Sequence, residues 1–377
     1  MSDIVIKEVK TKQERAVFVD YPNELYKDSP YFVPAFFGDD MEDWDENKNP
    51  AFDYCEARAF LAYRGNEVVG RIGAILSHKA NEKWGTKRMR FSQVDFIDDR
   101  EVSRALFDTV EAWAREKGMN EVHGPLGFCD MDREGMLVEG YDKRSMFITY
   151  YNHPYYIDHL TELGYVKDTD WIEHLIPVGD ENSEAYKRLK RISDAMLRRT
   201  GFRKISTKRR KDMKPYVRKA FELINIAYAP LYGVVELSEK QIKKYTNKFL
   251  PLIDPNLCCL VVDDNDELMG VGVGAPSMAE AMRKSRGRLF PFGWMGVLNS
   301  LRKNDTLDLF IIAIRPELQG SGVNGIIMEH LYTGCIKLGI TKAETGPQLE
   351  TNHKVHSQWK MFNIEPHKRR RCFIKQL

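Results

Sequence analysis

R-P-E-L-Q-G-S-G-V-N-G, residues Arg315–Gly325, is the stretch that decides the reading of this chain. The apolar run T-L-D-L-F-I-I-A-I precedes it, and the amphipathic run I-I-M-E-H-L-Y-T-G-C-I-K-L-G follows it. That order predicts a strand, a glycine-rich turn and a helix. A turn of this kind presents unpaired backbone N–H groups at the positive end of a helix, which suits a phosphate or pyrophosphate. The Gly-Lys-Ser/Thr of a Walker loop is missing, and a Rossmann fingerprint would require flanking parallel βαβ order.

Outward from this stretch the chain repeats itself. A-F-L-A-Y-R-G-N-E-V-V-G-R-I-G-A surrounds Gly70, and L-V-V-D-D-N-D-E-L-M-G-V-G-V-G-A surrounds Gly270. Glu67 and Gly70 stand in the first run as Glu267 and Gly270 stand in the second. Each run alternates around a polar turn and predicts a β-hairpin. Each half then carries a helix ending at a glycine (Gly118, Gly339), a short strand ending in Gly-Pro (Gly124-Pro125, Gly346-Pro347) and an Asn-led helix (Asn152, Asn352). The reading is two copies of one fold: a first domain over 1–178, an exposed linking helix over 179–200 and a second domain over 201–377. In the second copy the pattern predicts a strand near 202–205 and helices over 215–232 and 238–252. A hairpin over 257–275, a strand over 307–314, a helix over 323–338, a strand over 342–345 and a helix over 352–362 follow, with a final strand over 371–375 completing that copy. The fold class is α/β, with mixed, mostly antiparallel sheets flanked by helices.

With the repeat included, the second half resembles the GNAT acetyltransferase superfamily, whose signature R/Q-x-x-G-x-G/A reads here Gln319-Gly320-Ser321-Gly322-Val323-Asn324, followed by Gly325. Asn324 departs from the usual Gly or Ala. Asparagine tolerates left-handed backbone angles better than most residues, so the loop is expected to survive. The resemblance is good over 200–377 and weaker over 4–177. It implies that the N–H groups of Gln319–Gly325 hold the pyrophosphate of acetyl-coenzyme A or another acyl-coenzyme A. It also implies that the strand through Ile312, Ala313 and Ile314 pairs with the pantetheine arm, and that Asn352 touches that arm. The corresponding turn of the first half, V-D-F-I-D-D-R-E-V-S-R-A-L-F, has no glycine. Asp98, Asp99 and Glu101 would cap its helix and repel a pyrophosphate. The first copy is therefore expected to be degenerate, with the cofactor bound in the second half alone.

The resemblance implies direct attack of an amine on a thioester, with a backbone N–H near Ala313 or Ile314 stabilising the oxyanion. The family's usual acid is a Tyr in the last helix, four residues before a Gly-Phe pair. Trp359 stands there, Asn363-Ile364 replaces the pair, and an indole N–H does not titrate usefully. His356, one turn earlier, is a substitute proton carrier, and Asp308, Glu344 and Glu350 are candidate bases. The plainer reading of Asp308 is a solvent-facing strand residue, and that of His356 an exposed helix histidine. His353 and His356 have a metal-compatible spacing but no third ligand, so no metal is assigned.

Composition bounds the partners. A length of 377 residues favours two domains, and a net charge of +2 gives no argument for nucleic acid. No apolar run approaches a membrane span, the N-terminus lacks a signal-peptide pattern, and the six cysteines lack CxxC spacing. A cytoplasmic protein with reduced thiols is expected. The activity expected is acetyl transfer to an amine of a small molecule; a longer-chain acyl or aminoacyl transferase, and a non-catalytic coenzyme-A-binding protein, are the alternatives. A homodimer is compatible with the sequence.

Five further stretches carry more than one reading. Tyr150, Tyr151, Tyr155 and Tyr156, around His153-Pro154, read as packing or as an acceptor wall. The acidic run G-D-D-M-E-D-W-D-E reads as a solvated loop or as bait for an amine. The insertion over 278–303, with Arg283, Lys284, Arg286 and Arg288 before L-F-P-F-G-W, reads as packing against the first half, as a lid, or as a membrane-touching element. K-I-S-T-K-R-R-K and H-K-R-R-R read as solvated faces, or as contacts to coenzyme phosphates or to nucleic acid.

Overall fold

The computed structural model describes residues 3–205, 207–362 and 364–377. The chain divides into two compact units. Unit 1 comprises Met1–Ile172, Ala279–Gly296 and Lys368–Leu377, and unit 2 comprises Glu173–Met278 and Val297–His367.

The first half of the chain contains β1 (Ile4–Glu8), α1 (Lys12–Leu25), α2 (Phe37–Asp43), β2 (Cys55–Arg64), β3 (Glu67–Ser77), α3 (His78–Trp84), β4 (Arg88–Phe96), α4 (Arg100–Glu116), β5 (Glu121–Gly124), β6 (Met136–Glu139), α5 (Tyr155–Glu162) and β7 (Val166–Pro177). The second half contains α6 (Glu184–Thr200), β8 (Arg203–Lys204), α7 (Arg210–Tyr228), α8 (Glu239–Phe249), β9 (Cys258–Val262), β10 (Leu268–Pro276), α9 (Ala279–Ser285), α10 (Gly293–Arg302), β11 (Thr306–Ile314), α11 (Val323–Leu338), β12 (Lys342–Thr345), β13 (Gln348–Leu349), α12 (His353–Gln358) and β14 (Glu365–Gln376).

The repeat is physical. In unit 1, β1 to β4 run antiparallel in order, and β4 pairs parallel with β5. In unit 2, β8 to β11 run antiparallel in order, and β11 pairs parallel with β12. The matched hairpin glycines do matched work. A Cβ on Gly70 would stand 2.8 Å from Leu106 of α4, and one on Gly270 would stand 3.1 Å from Ile327 of α11. In both units the helix after the turn lies close on the sheet because a side chain is missing beneath it. Val102, Leu106, Phe107 and Val110 bury one face of α4; Val323, Ile326, Ile327 and Leu331 bury one face of α11. Truncating Leu106 or Leu331 to Ala removes about 2–5 kcal/mol of such packing.

Three expectations change here. The last strand, β14, does not complete the second copy. Its residues 368–377 belong to unit 1, where Phe373–Gln376 pair with Glu121–Gly124 of β5. Reciprocally, Leu175–Pro177 at the end of β7 pair with Lys342–Glu344 of β12 in unit 2. Each unit thus completes its sheet with the final strand of the other half. Alternation in sequence shows that a strand forms but not which edge it joins. Second, H-K-R-R-R is not a solvated face. Lys368 and Arg370 are buried, Lys368 Nζ donates to the Arg144 carbonyl at 3.0 Å, and Arg370 donates to the Tyr150 carbonyl at 2.5 Å. Arg369 and Arg371 hold the buried Asp170 at 3.2 and 2.8 Å. Third, α6 is not an exposed linker. Leu189 and Met196 are buried, Ile192 is partly buried, and together they lie against α11 in unit 2. The Lys and Arg on its other face mask this stripe in the sequence.

The insertion also finds its place. Residues 279–296 belong to unit 1, as the packing reading expects. The six cysteines are free and buried. Among the described residues, no helix is long and apolar enough to cross a membrane.

Candidate active site

The turn of unit 2 begins after β11. Pro316–Leu318 form a single 3-10 turn, then Gly320 and Gly322 take left-handed angles, with φ of 80° and 102°. Gly322 is the N-cap of α11 and supplies no capping side chain. The backbone N–H groups of Gly320, Gly322, Val323 and Asn324 make no hydrogen bond among the described residues. Four open donors at the start of a sixteen-residue helix form an anion cradle. The glycines serve two purposes. Around Gly320 there is open space, so only its φ requires glycine, whereas a Cβ on Gly325 would stand 2.4 Å from Ile192 of α6. Asn324 needs no left-handed tolerance, contrary to expectation. It lies inside the first turn of α11, and its Nδ2 donates to Gln358 Oε1 at 2.5 Å.

That bond ties the turn to α12. Lys354 Nζ reaches Gln319 Oε1 at 3.5 Å, and Asn352 caps α12 by accepting from the Val355 N–H at 3.3 Å. The structure thus brings Gln319, Asn324 and the Asn352-led helix together. It gives Asn352 a capping role that the sequence reading did not assign.

The strand before the turn is splayed. β11 pairs with β12 only over Thr306–Leu309, although it continues to Ile314. Its other edge stays paired with β10, from Gly270↔Ile314 to Gly272↔Ile312. Ile312, Ala313 and Ile314 therefore lie where β12 has already ended, leaving room for an extended arm to pair with β11. Tyr228, at the end of α7, donates its hydroxyl to the Ile312 carbonyl at 3.1 Å. Sequence reasoning missed this phenol because its position depends on how α7 packs against β11; the only local signal is a Tyr closing a helix.

The named catalytic candidates fall into two groups. Asp308 and Glu344 are register partners on the parallel strands β11 and β12, so their side chains share a face. Both are buried, so Asp308 does not face solvent. His367 Nε2 lies 3.4 Å from Glu344 Oε2. In the second group, His356 is half-buried rather than exposed, and its Nε2 donates to the Leu349 carbonyl at 2.9 Å. With that nitrogen protonated, the neutral ring turns Nδ1 toward His174 Nε2, 3.3 Å away, to accept a hydrogen bond. Burial, then the neighbouring His356, pull His174 down to about 4. Glu350 is half-buried and His353 exposed. Trp359 is fully buried, and its indole N–H is donated to Gln348 Oε1 at 2.8 Å. It is a core residue with its only donor engaged. Asn363, beside it in the expected pair, lies outside the described residues.

Unit 1 shows the opposite arrangement. Asp99 caps α4 by accepting from the Glu101 N–H at 2.8 Å, and Arg64 binds its carboxylate at 2.6 Å. That guanidinium holds Asp99 below the ordinary carboxylate range. The strand edge is covered too: Tyr156 donates to or accepts from Tyr26 at 2.8 Å and accepts from the Phe96 N–H at 2.9 Å, while Tyr155 donates to the Phe96 carbonyl at 2.5 Å. Phe96 pairs with Gly70 as Ile314 pairs with Gly270, so the tyrosines cap the backbone corresponding to the open strand of unit 2.

Tyr150 and Tyr151 instead line a small pocket in unit 1, of about 20 Å³, with Asp40, Arg71, Asp95 and Arg133. Asp40, from the acidic run read as solvated, is buried against Arg133 at 2.5 Å, and Asp95 is held by Arg71 at 2.7 Å. Each carboxylate is neutralised by an arginine, so the pocket suits a polar group without strong net charge. Elsewhere in unit 1 the ligand atoms of His123, Asp168 and Cys372 lie within 4.8 Å of one another. Arg88 stands 3.5 Å from Asp168 and already supplies positive charge there.

No family model matches the chain. Among solved structures, a tandem GNAT protein from the clavulanic acid biosynthesis pathway superposes with a TM-score of 0.56 at 11% identity, over 99% of this chain and 98% of that one. The chain has a tandem GNAT fold. A GCN5-related N-acetyltransferase from Sphaerobacter thermophilus supports the same fold, with a TM-score of 0.53 at 11% identity over 99% and 95% of the two chains. Two sequence relatives extend the comparison. Protein YghO of Escherichia coli (strain K12) is 27% identical over 379 aligned residues, spanning 99% of this chain and 95% of that protein. A bacterial ceramide synthase of Caulobacter vibrioides is 28% identical over 308 residues, spanning 80% and 77%. Within this fold, the open turn and the splayed strand of unit 2 leave backbone donors and a strand edge free.

Proposed function

We propose that the protein is an N-acyltransferase that moves a long-chain acyl group from a coenzyme A thioester to the amine of an amphiphilic amino alcohol. The observation that carries the acyl-transfer reading is the pair of features after Leu309 in unit 2: a strand without a β12 partner, then a turn with four open N–H donors. The relative named ceramide synthase supports the choice of chain length and acceptor, since a ceramide is an N-acylated long-chain amino alcohol.

In this reading Gly320, Gly322, Val323 and Asn324 hold the pyrophosphate through backbone N–H groups, with Gln319, Ser321 and Gly325 shaping the turn. Ile312–Ile314 pair with the pantetheine arm. The amine nitrogen forms a bond to the thioester carbonyl carbon and the C–S bond breaks; of the two protons the ammonium loses, one goes to Glu344 and on to water, and the other makes good the proton that Tyr228 gives to sulfur. Glu344, backed by His367 and beside Asp308, takes the proton from the ammonium directly or through water. Tyr228, hydrogen-bonded at Ile312, is the proton donor to sulfur in place of the family's helix tyrosine, a role closed to Trp359. The pair His356–His174 positions β7 against α12 rather than carrying protons, because His356 Nε2 is committed to the Leu349 carbonyl.

Coenzyme A release is measured with a donor series from acetyl- to palmitoyl-coenzyme A and with sphinganine or a small amine as acceptor. The expected result is activity with long-chain donors and sphinganine. Preference for acetyl-coenzyme A and a small amine would replace the long-chain reading with acetyl transfer. Binding of coenzyme A without thiol release for every acceptor would leave a binding protein.

A further inference from the structure

The insertion of unit 1 carries an apolar ridge that the acyl-transfer chemistry does not use. Of the ten large apolar side chains exposed among the described residues, four fall within six positions: Phe290 (80% exposed), Phe292 (74%), Trp294 (44%) and Met295 (54%). Contiguous exposed apolar surface on a folded protein marks a contact site.

The exposure is built in. At the base of the ridge Arg288 pairs with Asp20 at 2.9 Å and lies over the Phe37 ring at 4.2 Å, and Arg286 pairs with Glu24. The Phe37 N–H donates to the Gly287 carbonyl at 2.9 Å. Gly287 has φ of 76°, and a Cβ there would stand 2.2 Å from the Ala35 carbonyl oxygen. Further along, the Trp294 N–H donates to the Leu289 carbonyl at 2.8 Å, and its indole Nε1 donates to the Pro291 carbonyl at 3.1 Å. The aromatic rings are therefore held outward by a pinned loop. The tryptophan has its ring donor satisfied within the loop, so it can leave water without stranding a polar group.

The charge pattern selects the occupant. Residues 281–296 hold Arg283, Lys284, Arg286 and Arg288 and no acidic residue. Arg286 and Arg288 are spent at the base, and Arg283 and Lys284 share Glu280. Lys284 remains well exposed. A symmetric contact with a second copy would bring this positive segment against itself. An anionic bilayer complements it, while its acyl boundary takes Phe290, Phe292, Trp294 and Met295.

We propose that this ridge docks the protein on anionic membrane surfaces, lying in the interface rather than crossing it. The proposal rests on the acyl-transfer reading only for its purpose, delivery of an amphiphilic substrate; the binding itself is measured without any acyl donor. The full chain is sedimented with vesicles of phosphatidylcholine alone and of phosphatidylcholine with one quarter phosphatidylglycerol. The expected result is binding to the anionic vesicles at least tenfold stronger than to the neutral ones. F290S/F292S/M295S should lose at least tenfold of it, with unchanged circular dichroism and unchanged coenzyme A affinity. Lys284→Glu should lower binding to anionic vesicles only. Gly322→Glu, which removes the proposed pyrophosphate cradle, should bind vesicles as the wild type does, so failure of the catalytic reading leaves this result standing. Wild-type protein that ignores anionic vesicles, or a triple variant that still binds them, overturns the proposal. A wild-type dimer in solution that the triple variant splits would assign the ridge to a second copy instead.

Discussion

The β4–α4 turn of unit 1 and the β11–α11 turn of unit 2 occupy the same place in one fold and have opposite electrostatics. In unit 2 a glycine N-cap leaves Gly320, Gly322, Val323 and Asn324 with open donors. In unit 1 Asp99 fills the donors and Arg64 fills Asp99. The neighbouring strand repeats the contrast: Phe96 has its N–H and carbonyl taken by Tyr156 and Tyr155, whereas β11 runs five residues past its last β12 partner. A helix start can be closed by a side-chain cap or left open, and the two copies in this chain do one each.

The largest way to break the comparison is to make unit 2 resemble unit 1. Gly322→Glu puts a carboxylate and a side chain at φ of 102°, with Met196 Sδ 3.1 Å from the new Cβ. Coenzyme A affinity by calorimetry should fall at least about 100-fold, or ~2.8 kcal/mol. Unchanged affinity would remove the cradle from the site. Next comes Tyr228→Phe, expected to lower kcat about 100-fold with little change in KM, read from steady-state kinetics. Tyr155→Phe, its counterpart on the strand of unit 1, should leave kcat alone. An unchanged kcat in the Tyr228 variant would return proton delivery to solvent.

Smaller effects test the closed turn. Asp99→Ala should cost about 1 kcal/mol in urea unfolding and leave coenzyme A affinity intact. A loss of affinity would mean that unit 1 shares in cofactor binding. The smallest effect is a pH dependence spread over both units. Burial pulls His123 of unit 1 and His174 and His330 of unit 2 down to about 4. An unfolded histidine takes a proton near 6.5, whereas these take one only near 4, so the folded state is favoured above 6.5 and loses that advantage as pH falls toward 4. The denaturation midpoint should drop between pH 7 and pH 4.5, and H330Q should flatten the slope. An identical slope in H330Q would mean that His330 does not contribute.

Much was legible locally. The glycine signature, the acids at Asp98–Glu101 and the matched hairpins at Gly70 and Gly270 are contiguous patterns whose meaning follows from backbone chemistry alone. Trp359 could be disqualified as an acid from its type, and its burial and its bond to Gln348 agree. Tyr228 could not be found, since nothing local distinguishes a helix-ending tyrosine beside Ile312 from one in solvent. Asp308 was misjudged because alternation assumes one wet face, whereas β11 is covered on both sides where Asp308 sits.

By itself, then, the sequence determined that there are two copies, that only the second keeps an open glycine turn, and which residues form it, because turns and caps are encoded within a few positions. The tertiary structure alone decided that β7 and β14 are exchanged between units, that Lys368 and Arg370 are buried and that Asp308 and Glu344 meet. It also decided that the insertion holds its aromatic ridge out from unit 1. These depend on which distant edges and faces come together, and alternation and charge along the chain do not specify that.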